Sequence, residues 1–274
     1  DTFFKQRRHA LMALAAAVGA VTLVACGGGG DNSSTSAAPP TYATGTITGL
    51  GSIIVGGVRY DDSRAKVEDE DGNDRSNRDL KLGMTVELQA GSVDDNSSSA
   101  SASLIRFGAE LKGPVASINA TAQTFKVLDQ TIEVKDTTVF EPGLAGFAAI
   151  AVGNILEIHA QFDAATGRYT ATRIEKEDNA NEYRLRGLVS ALDATAKTFK
   201  IGDATINYAS ATEVSAQLAN GQRVRVRLQT TQVNGQWVAT QVRNGMKRVD
   251  DHADARVRGA ITVFTTPTSF EVQG

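Results

Sequence analysis

From Thr44 onward, apolar and polar residues alternate in short runs. Phe125 and Val127 flank Lys126, Ile132 and Val134 flank Glu133, and Ile206 and Tyr208 flank Asn207. Val224, Val226 and Leu228 interleave with Arg223, Arg225 and Arg227. A period of two sends one set of side chains into a core and the other toward water, so each run predicts a β-strand with one buried face. Turn chemistry separates the runs: Asp71-Gly72, Thr166-Gly167 and above all Asn234-Gly235 predict hairpins. No stretch sustains a 3.6-residue period. Ala211 to Asn220 predicts at most one short helical turn.

The strand pattern repeats. One signature opens each unit: Gly45-Thr46-Ile47, Gly113-Pro114-Val115, Gly187-Leu188-Val189 and Gly259-Ala260-Ile261. A second reads Leu82-Gly83-Met84-Thr85-Val86, Val152-Gly153-Asn154-Ile155-Leu156 and Asn220-Gly221-Gln222-Arg223-Val224. A third closes the unit, as Ala102-Ser103-Leu104-Ile105, Ala171-Thr172-Arg173-Ile174 and Ala239-Thr240-Gln241-Val242. The opening glycines are 68, 74 and 72 residues apart, too far for a solenoid turn and right for a small domain. Five or six short strands per unit predict an all-β chain of tandem small antiparallel β-barrels. An OB-like barrel fits best and a small sandwich second, because closure removes exposed strand edges. Each unit alone is small, so packing between neighbours is expected.

The first 43 residues follow other rules. Lys5, Arg7 and Arg8 precede an apolar run from Ala10 to Ala25, the pattern of an export signal. The run is about 16 residues, short of the ~20 that a spanning helix needs. It ends in Leu23-Val24-Ala25-Cys26, which resembles the lipobox of bacterial lipoproteins. That resemblance implies cleavage between Ala25 and Cys26 and a diacylglyceryl group on the Cys26 thiol. Residues from Gly27 to Ala43 are rich in Gly, Ser, Ala and Pro and predict a disordered tether, with a reach of roughly 20–25 Å. The expected organisation is therefore a signal helix over 1–25, lipidated cysteine and tether over 26–43, repeats over 44–110, 111–183 and 184–248, and a linker with the start of a fourth repeat over 249–274.

Lipobox, tether and repeated Gly-x-Val…Phe-x-Val…Ala-x-x-Ile units together resemble bacterial proteins carrying domain of unknown function 5666. The resemblance spans Thr44 to Gly274, and its motifs are structural, so it implies no catalytic residues. The first unit departs from the pattern: Gly49 to Tyr60 is compressed, and a charged loop from Glu68 to Arg78 is added.

Cys26 is the single cysteine of 274 residues, so no disulfide is available and each domain must be held by core burial. The formal net charge of -3 gives no global pull toward nucleic acid, and no intracellular nucleic-acid partner is expected. Charge is uneven, however. Thr44 to Glu110 carries 7 Lys/Arg and 12 Asp/Glu, whereas Arg184 to Arg248 carries 10 and 3. Arg223, Arg225 and Arg227 share one strand face, with Arg184, Arg186 and Arg243 nearby and Trp237 or Tyr208 as a stacking surface. This is the candidate anion-binding site, for an anionic envelope polymer or a protein partner. Attraction between the basic third unit and an acidic neighbour explains the same pattern without a ligand.

Other chemistry is thin. The histidines are His9, His159 and His252; by comparison with Arg227, His159 is expected on a water-facing strand side, and His252 in a solvated linker. The acidic run Glu68 to Asp74 fails the EF-hand pattern, since Val67 falls at its first ligand position, and reads as a solvated hairpin tip. No cofactor or metal site is expected. Glu133 and Glu157 are the nominal carboxylates for a glycan hydrolase, the least favoured reading. The expected protein is a non-catalytic binding or spacer module, lipid-anchored in the bacterial cell envelope. The lipoprotein resemblance also implies a location: where such proteins are sorted by the residue after the cysteine, Asp marks inner-membrane retention, and Gly27 instead implies the periplasmic face of the outer membrane.

Overall fold

The structure, a computed structural model, describes residues 39–245, 256–259 and 261–272. Ala25, Cys26, the tether up to Ala38 and the run around His252 lie outside these residues. In the first unit the strands are β1 (Thr41–Gly49), β2 (Ile53–Val55), β3 (Val58–Asp61), β4 (Lys66–Asp69), β5 (Asp74–Arg75), β6 (Thr85–Ala90) and β7 (Ser99–Phe107). The second unit contains β8 (Leu111–Asn119), β9 (Thr124–Val127), β10 (Gln130–Glu133), β11 (Val139–Phe140), β12 (Ile155–Asp163) and β13 (Arg168–Glu177). The third contains β14 (Tyr183–Asp193), β15 (Thr198–Ile201), β16 (Ala204–Asn207), β17 (Glu213–Val214), β18 (Arg223–Val233) and β19 (Gln236–Asn244). After them come β20 (Arg256–Arg258), β21 (Ile261–Thr266) and β22 (Ser269–Val272).

One ring of pairings recurs in every complete unit. In the first, β1 pairs antiparallel with β2 and β6, β2 with β3, and β6 with β7, while β3 closes the ring parallel to β7. The corresponding rings are β8-β9-β10-β13-β12 and β14-β15-β16-β19-β18. The expected OB-like order is thus present, and closure leaves few free edges. A short strand then docks parallel on each closing strand: β4 on β7, β11 on β13 and β17 on β19. The segment Ala211 to Asn220 forms the two-residue β17 and then the single expected turn, closed by Leu218 N–H on the Ser215 carbonyl at 3.2 Å. Thr212 N–H and Ser215 N–H bond to the carbonyls of Thr240 and Val242, which docks β17 on the edge of β19.

The three repeated signatures are three pieces of this geometry. Ile47, Val115 and Val189 each donate a backbone hydrogen bond to Met84, Asn154 and Gln222 respectively, and accept one from Gly83, Gly153 and Gly221. The opening signature is thereby stitched to the second. Those three glycines have φ near +85° (84, 89 and 83°), which an L side chain adopts at a cost. The closing signature is a β-bulge: Ser103, Thr172 and Thr240 are the extra residues where β7, β13 and β19 slip against their partners. The flanking Ala and Ile or Val point inward and are buried.

The first unit has its own core, with Ile47, Ile53, Tyr60, Val86, Leu88 and Ile105 among its members. The second and third units share a single one, running from Leu111, Phe125 and Tyr169 to Leu185, Phe199 and Val226. Self-contained barrels therefore describe the first unit, not the other two. The fusion begins where β8 pairs with β14, Leu111 opposite Leu185 and Lys112 opposite Arg184. It continues with the Tyr169 hydroxyl donating to the Arg186 carbonyl at 2.7 Å and Gln130 Nε2 donating to the Ile201 carbonyl at 2.8 Å. A Cβ on Gly187 would collide with Ile201 Cγ2 and meet the Tyr169 hydroxyl at 2.8 Å, so this opening glycine also makes room for the neighbouring unit.

The first unit touches both others, so the described body is a cluster rather than a row. Thr172 Oγ1 donates to the Gly83 carbonyl at 2.7 Å, and Lys81 pairs with Glu175 at 3.0 Å. Thr41, Tyr42 and Ala43, expected in the tether, belong to β1 and pair with Ala90, Gln89 and Leu88 on one side and with β20 on the other. The β21–β22 hairpin leaves Phe264 and Phe270 exposed, although Phe270 falls where the repeat places the buried Phe125 and Phe199.

Candidate functional site: an arginine face and its internal carboxylates

Alternation along β18 places Val224, Val226 and Leu228 in the core and Arg223, Arg225 and Arg227 on the opposite face. The register of β14 sets Arg186 beside Arg225 and Arg184 beside Arg227, and β19 sets Arg243 on the other side of Arg225. Like charges directly opposite on neighbouring strands repel, so such a face requires counter-charge. The first unit supplies it. The loop between β4 and β5 inserts Glu70 and Asp71 among the guanidinium groups. Glu70 meets Arg184 at 3.0 Å, Arg186 at 3.3 Å and Arg225 at 3.6 Å. Asp71 meets Arg243 at 3.3 Å and Arg225 at 3.9 Å, and pairs closely with Arg227. Deeper in the contact, Glu110 holds Arg223 at 2.8 Å and Arg186 at 3.5 Å.

Local chemistry fixes the loop. The Asp69 carboxylate accepts from the backbone N–H of Asp71 and of Asn73, both at 3.0 Å, and from the side chains of Asn73 and Arg75. Gly72 turns the chain at φ 84°. Burial works against the Asp69 charge, but the Asn73, Arg75 and Asp71 hydrogen bonds outweigh it and hold the carboxyl below its ordinary range. Behind the face, burial pushes the Glu87 carboxyl up despite the nearby Arg186 and Arg106. Arg186 loses solvation as well, yet Glu110, Glu87 and Glu70 keep it firmly charged. Arg225 goes the other way: burial, only partly offset by Glu70, lowers its basicity. A cavity of about 680 Å³ opens beside the contact, with Arg106, Arg186, Arg225, Arg243, Glu213 and Asn244 in its wall.

The structure therefore brings Arg223, Arg225 and Arg227 together with Arg184, Arg186 and Arg243, and it faces them with the chain's own carboxylates. The acidic run is only partly a solvated tip: Gly72 to Asp74 are exposed, whereas Glu70 is buried in this contact and Glu68 is buried against Arg106 of its own unit. Trp237 does not join the face. It packs edge-on against Tyr183 at 5.9 Å, and its Nε1 donates to Asp129 at 2.9 Å, because the shared core of the second and third units claims its ring. Tyr208 is buried against Phe199 in the same core. Glu70, Asp71 and Glu110 were not legible as partners. Their signal was the opposite charge balance of the first and third units, together with a loop that only the first unit carries.

His159 corrects a second expectation. It lies on the outward side of its own barrel but is fully buried, because β6 of the first unit covers it. The Thr85 backbone N–H points at Nδ1 from 3.2 Å, which makes Nδ1 the acceptor and places the proton on Nε2. Glu157, His159 and Glu175 offer ligand-type atoms within 4.8 Å of one another. These residues do not fit a metal ion: the protonated Nε2 has no free lone pair, Glu157 faces Lys112 at 3.5 Å, and Glu175 is held by Arg173 at 2.7 Å and by Lys81. Glu133, the last residue of β10, pairs with Lys135 beyond the strand, and β13 lies between β10 and the strand of Glu157, so the nominal hydrolase carboxylates are not brought to a common centre.

No curated protein matches this chain. Among solved structures, Drosophila Unr CSD456 is similar at 15% identity, over 77% of this chain and 98% of that one, with a TM-score of 0.21. The model of a domain of unknown function, DUF5666, matches residues 112–175 and again 186–243, which are the second and third barrels. The two matched segments lie in tandem and coincide with the two barrels that share one core.

Proposed function

We propose that this chain is a lipid-anchored protein of the bacterial cell envelope, whose barrels form a non-catalytic binding or spacer body. The observation that carries the anchor is Leu23-Val24-Ala25-Cys26 at the end of a short apolar run with basic residues before it. Gly27 favours the periplasmic face of the outer membrane. The non-catalytic reading is supported by how the outward polar groups are spent. Thr85, Glu157, His159, Arg223, Arg225 and Arg227 occupy related positions on β6, β12 and β18, and all of them are engaged in ion pairs or hydrogen bonds. Mass spectrometry of the protein produced in a bacterial host tests the anchor directly. The expected mature N-terminus is Cys26 bearing a thioether-linked diacylglyceryl group. A mature chain that begins elsewhere, or a free Cys26 thiol, overturns it.

A further inference from the structure

We propose that the acidic loop carrying Glu70 and Asp71 is an internal stand-in for an external acidic glycan, and that the arginine face binds such a polymer when the loop withdraws. Four observations lead there. The loop and β5 are additions: the ring of the first barrel closes without them, and the second and third barrels place only β11 and β17 where β4 lies. Two loop carboxylates reach five arginines, Glu70 meeting Arg184, Arg186 and Arg225, and Asp71 meeting Arg225, Arg227 and Arg243, while Glu182, Glu87, Glu110 and Glu213 are further partners of all but Arg225. Arg225 has these two partners alone among the described ion pairs. Finally, the contact is polar, and the core of the first unit is separate from that of the other two, so parting the loop from the face uncovers charge without opening a core.

The spacing suits a flexible polyanion. Arginines on adjacent strands stand about 5 Å apart, and alternate residues on one strand about 6.5–7 Å apart. Carboxylates or sulfates repeated along a sugar chain can meet such a grid at several points. Multivalence is required, because the tethered loop competes at high effective concentration. The neighbouring cavity of about 680 Å³ gives the incoming polymer room beside Arg106, Arg186, Arg225 and Arg243. The envelope reading supplies the identity of the polymer; the gating of the face stands independently of it.

The test uses the full chain in a Cys26→Ser background, so that lipidation has no part in the outcome. Heparin serves as the glycan probe and a DNA duplex of matched charge as the comparison, each at about 50 and about 300 mM NaCl, between which the Debye length falls from roughly 14 to roughly 6 Å. The nearly isosteric double variant Glu70→Gln/Asp71→Asn is expected to bind heparin at least about tenfold more tightly than its parent at low salt, and to lose that gain at high salt. Adding Arg225→Ser and Arg227→Ser should return binding to the parental level. A folded double variant that binds no better than its parent overturns the proposal, and tighter binding of DNA than of heparin overturns its assignment to a glycan. Should the double variant fail to fold, hydrogen exchange of the parent decides: heparin must raise exchange in the loop between β4 and β5, and unchanged exchange there sinks the idea.

Discussion

At the scale of single residues, His159 shows what alternation can and cannot say. Its place in the repeat, equivalent to Gln89 and Arg227, correctly assigns it to the outward side of its strand. What covers that side depends on a neighbouring barrel whose position no local pattern encodes, and the first unit buries it completely. Burial lowers the imidazole pKa to about 4, with Glu175 opposing the shift and Arg173 and Arg186 adding to it. An unfolded histidine titrates near 6.5. Between these values the unfolded chain binds the extra proton, so the contribution of His159 is complete above about pH 6.5 and is lost as pH falls toward 4. The span of the shift corresponds to about 3 kcal/mol at most. Urea unfolding at pH 7 and pH 4.5 should therefore show a loss of stability that His159→Gln lacks in part. Equal pH dependence in the two proteins would show that His159 does not contribute to it.

At the scale of elements, the repeat was legible because it is made of backbone requirements. Gly83, Gly153 and Gly221 recur since each turns at positive φ and donates to the opening strand, and Ser103, Thr172 and Thr240 recur as the extra residue of a bulge. Sequence spacing revealed both signatures without revealing what they do, because a bulge and a turn glycine leave only a small residue and a gap in the alternation. The strand within Ala211 to Asn220 was not legible for a related reason: β17 has two residues, too few to show a period, and its bonds go to a distant strand edge. The three glycines also differ in their surroundings. A Cβ at Gly83 would stand 2.5 Å from the Thr172 carbonyl oxygen and 2.9 Å from Arg173 Cβ, across the contact with the second unit, while Gly153 and Gly221 have open space. Replacing any of them by Ala costs about 1–2 kcal/mol for the left-handed backbone. Gly83→Ala should cost a further ~1–3 kcal/mol by overpacking the contact. Denaturation midpoints of the three variants check the order, and a Gly83→Ala protein no less stable than Gly153→Ala contradicts the close approach.

At the scale of the whole molecule, the charge imbalance between the first and third units was the one long-range message visible in the chain, and it reports their contact. Hydrophobic fusion of the second and third units left no such trace, since Leu111 and Leu185 look like any other strand residues and only their pairing joins the barrels. The two kinds of interface should behave differently under stress. One large core couples the second and third units, so they are expected to unfold together, whereas the first unit adds a separate core and is held by hydrogen bonds and ion pairs that salt and denaturant weaken. The single tryptophan of the chain, Trp237, lies in the shared core and reports on that pair alone. In a urea titration, far-ultraviolet circular dichroism should therefore lose part of its strand signal before tryptophan fluorescence changes, and added NaCl should move the earlier phase more than the later one. Coincident transitions by both measurements, unmoved relative to each other by salt, would mean that the arginine–carboxylate contact binds the first unit as firmly as a common core would. In that case the acidic loop would be a permanent part of the fold and no longer a removable occupant of the arginine face.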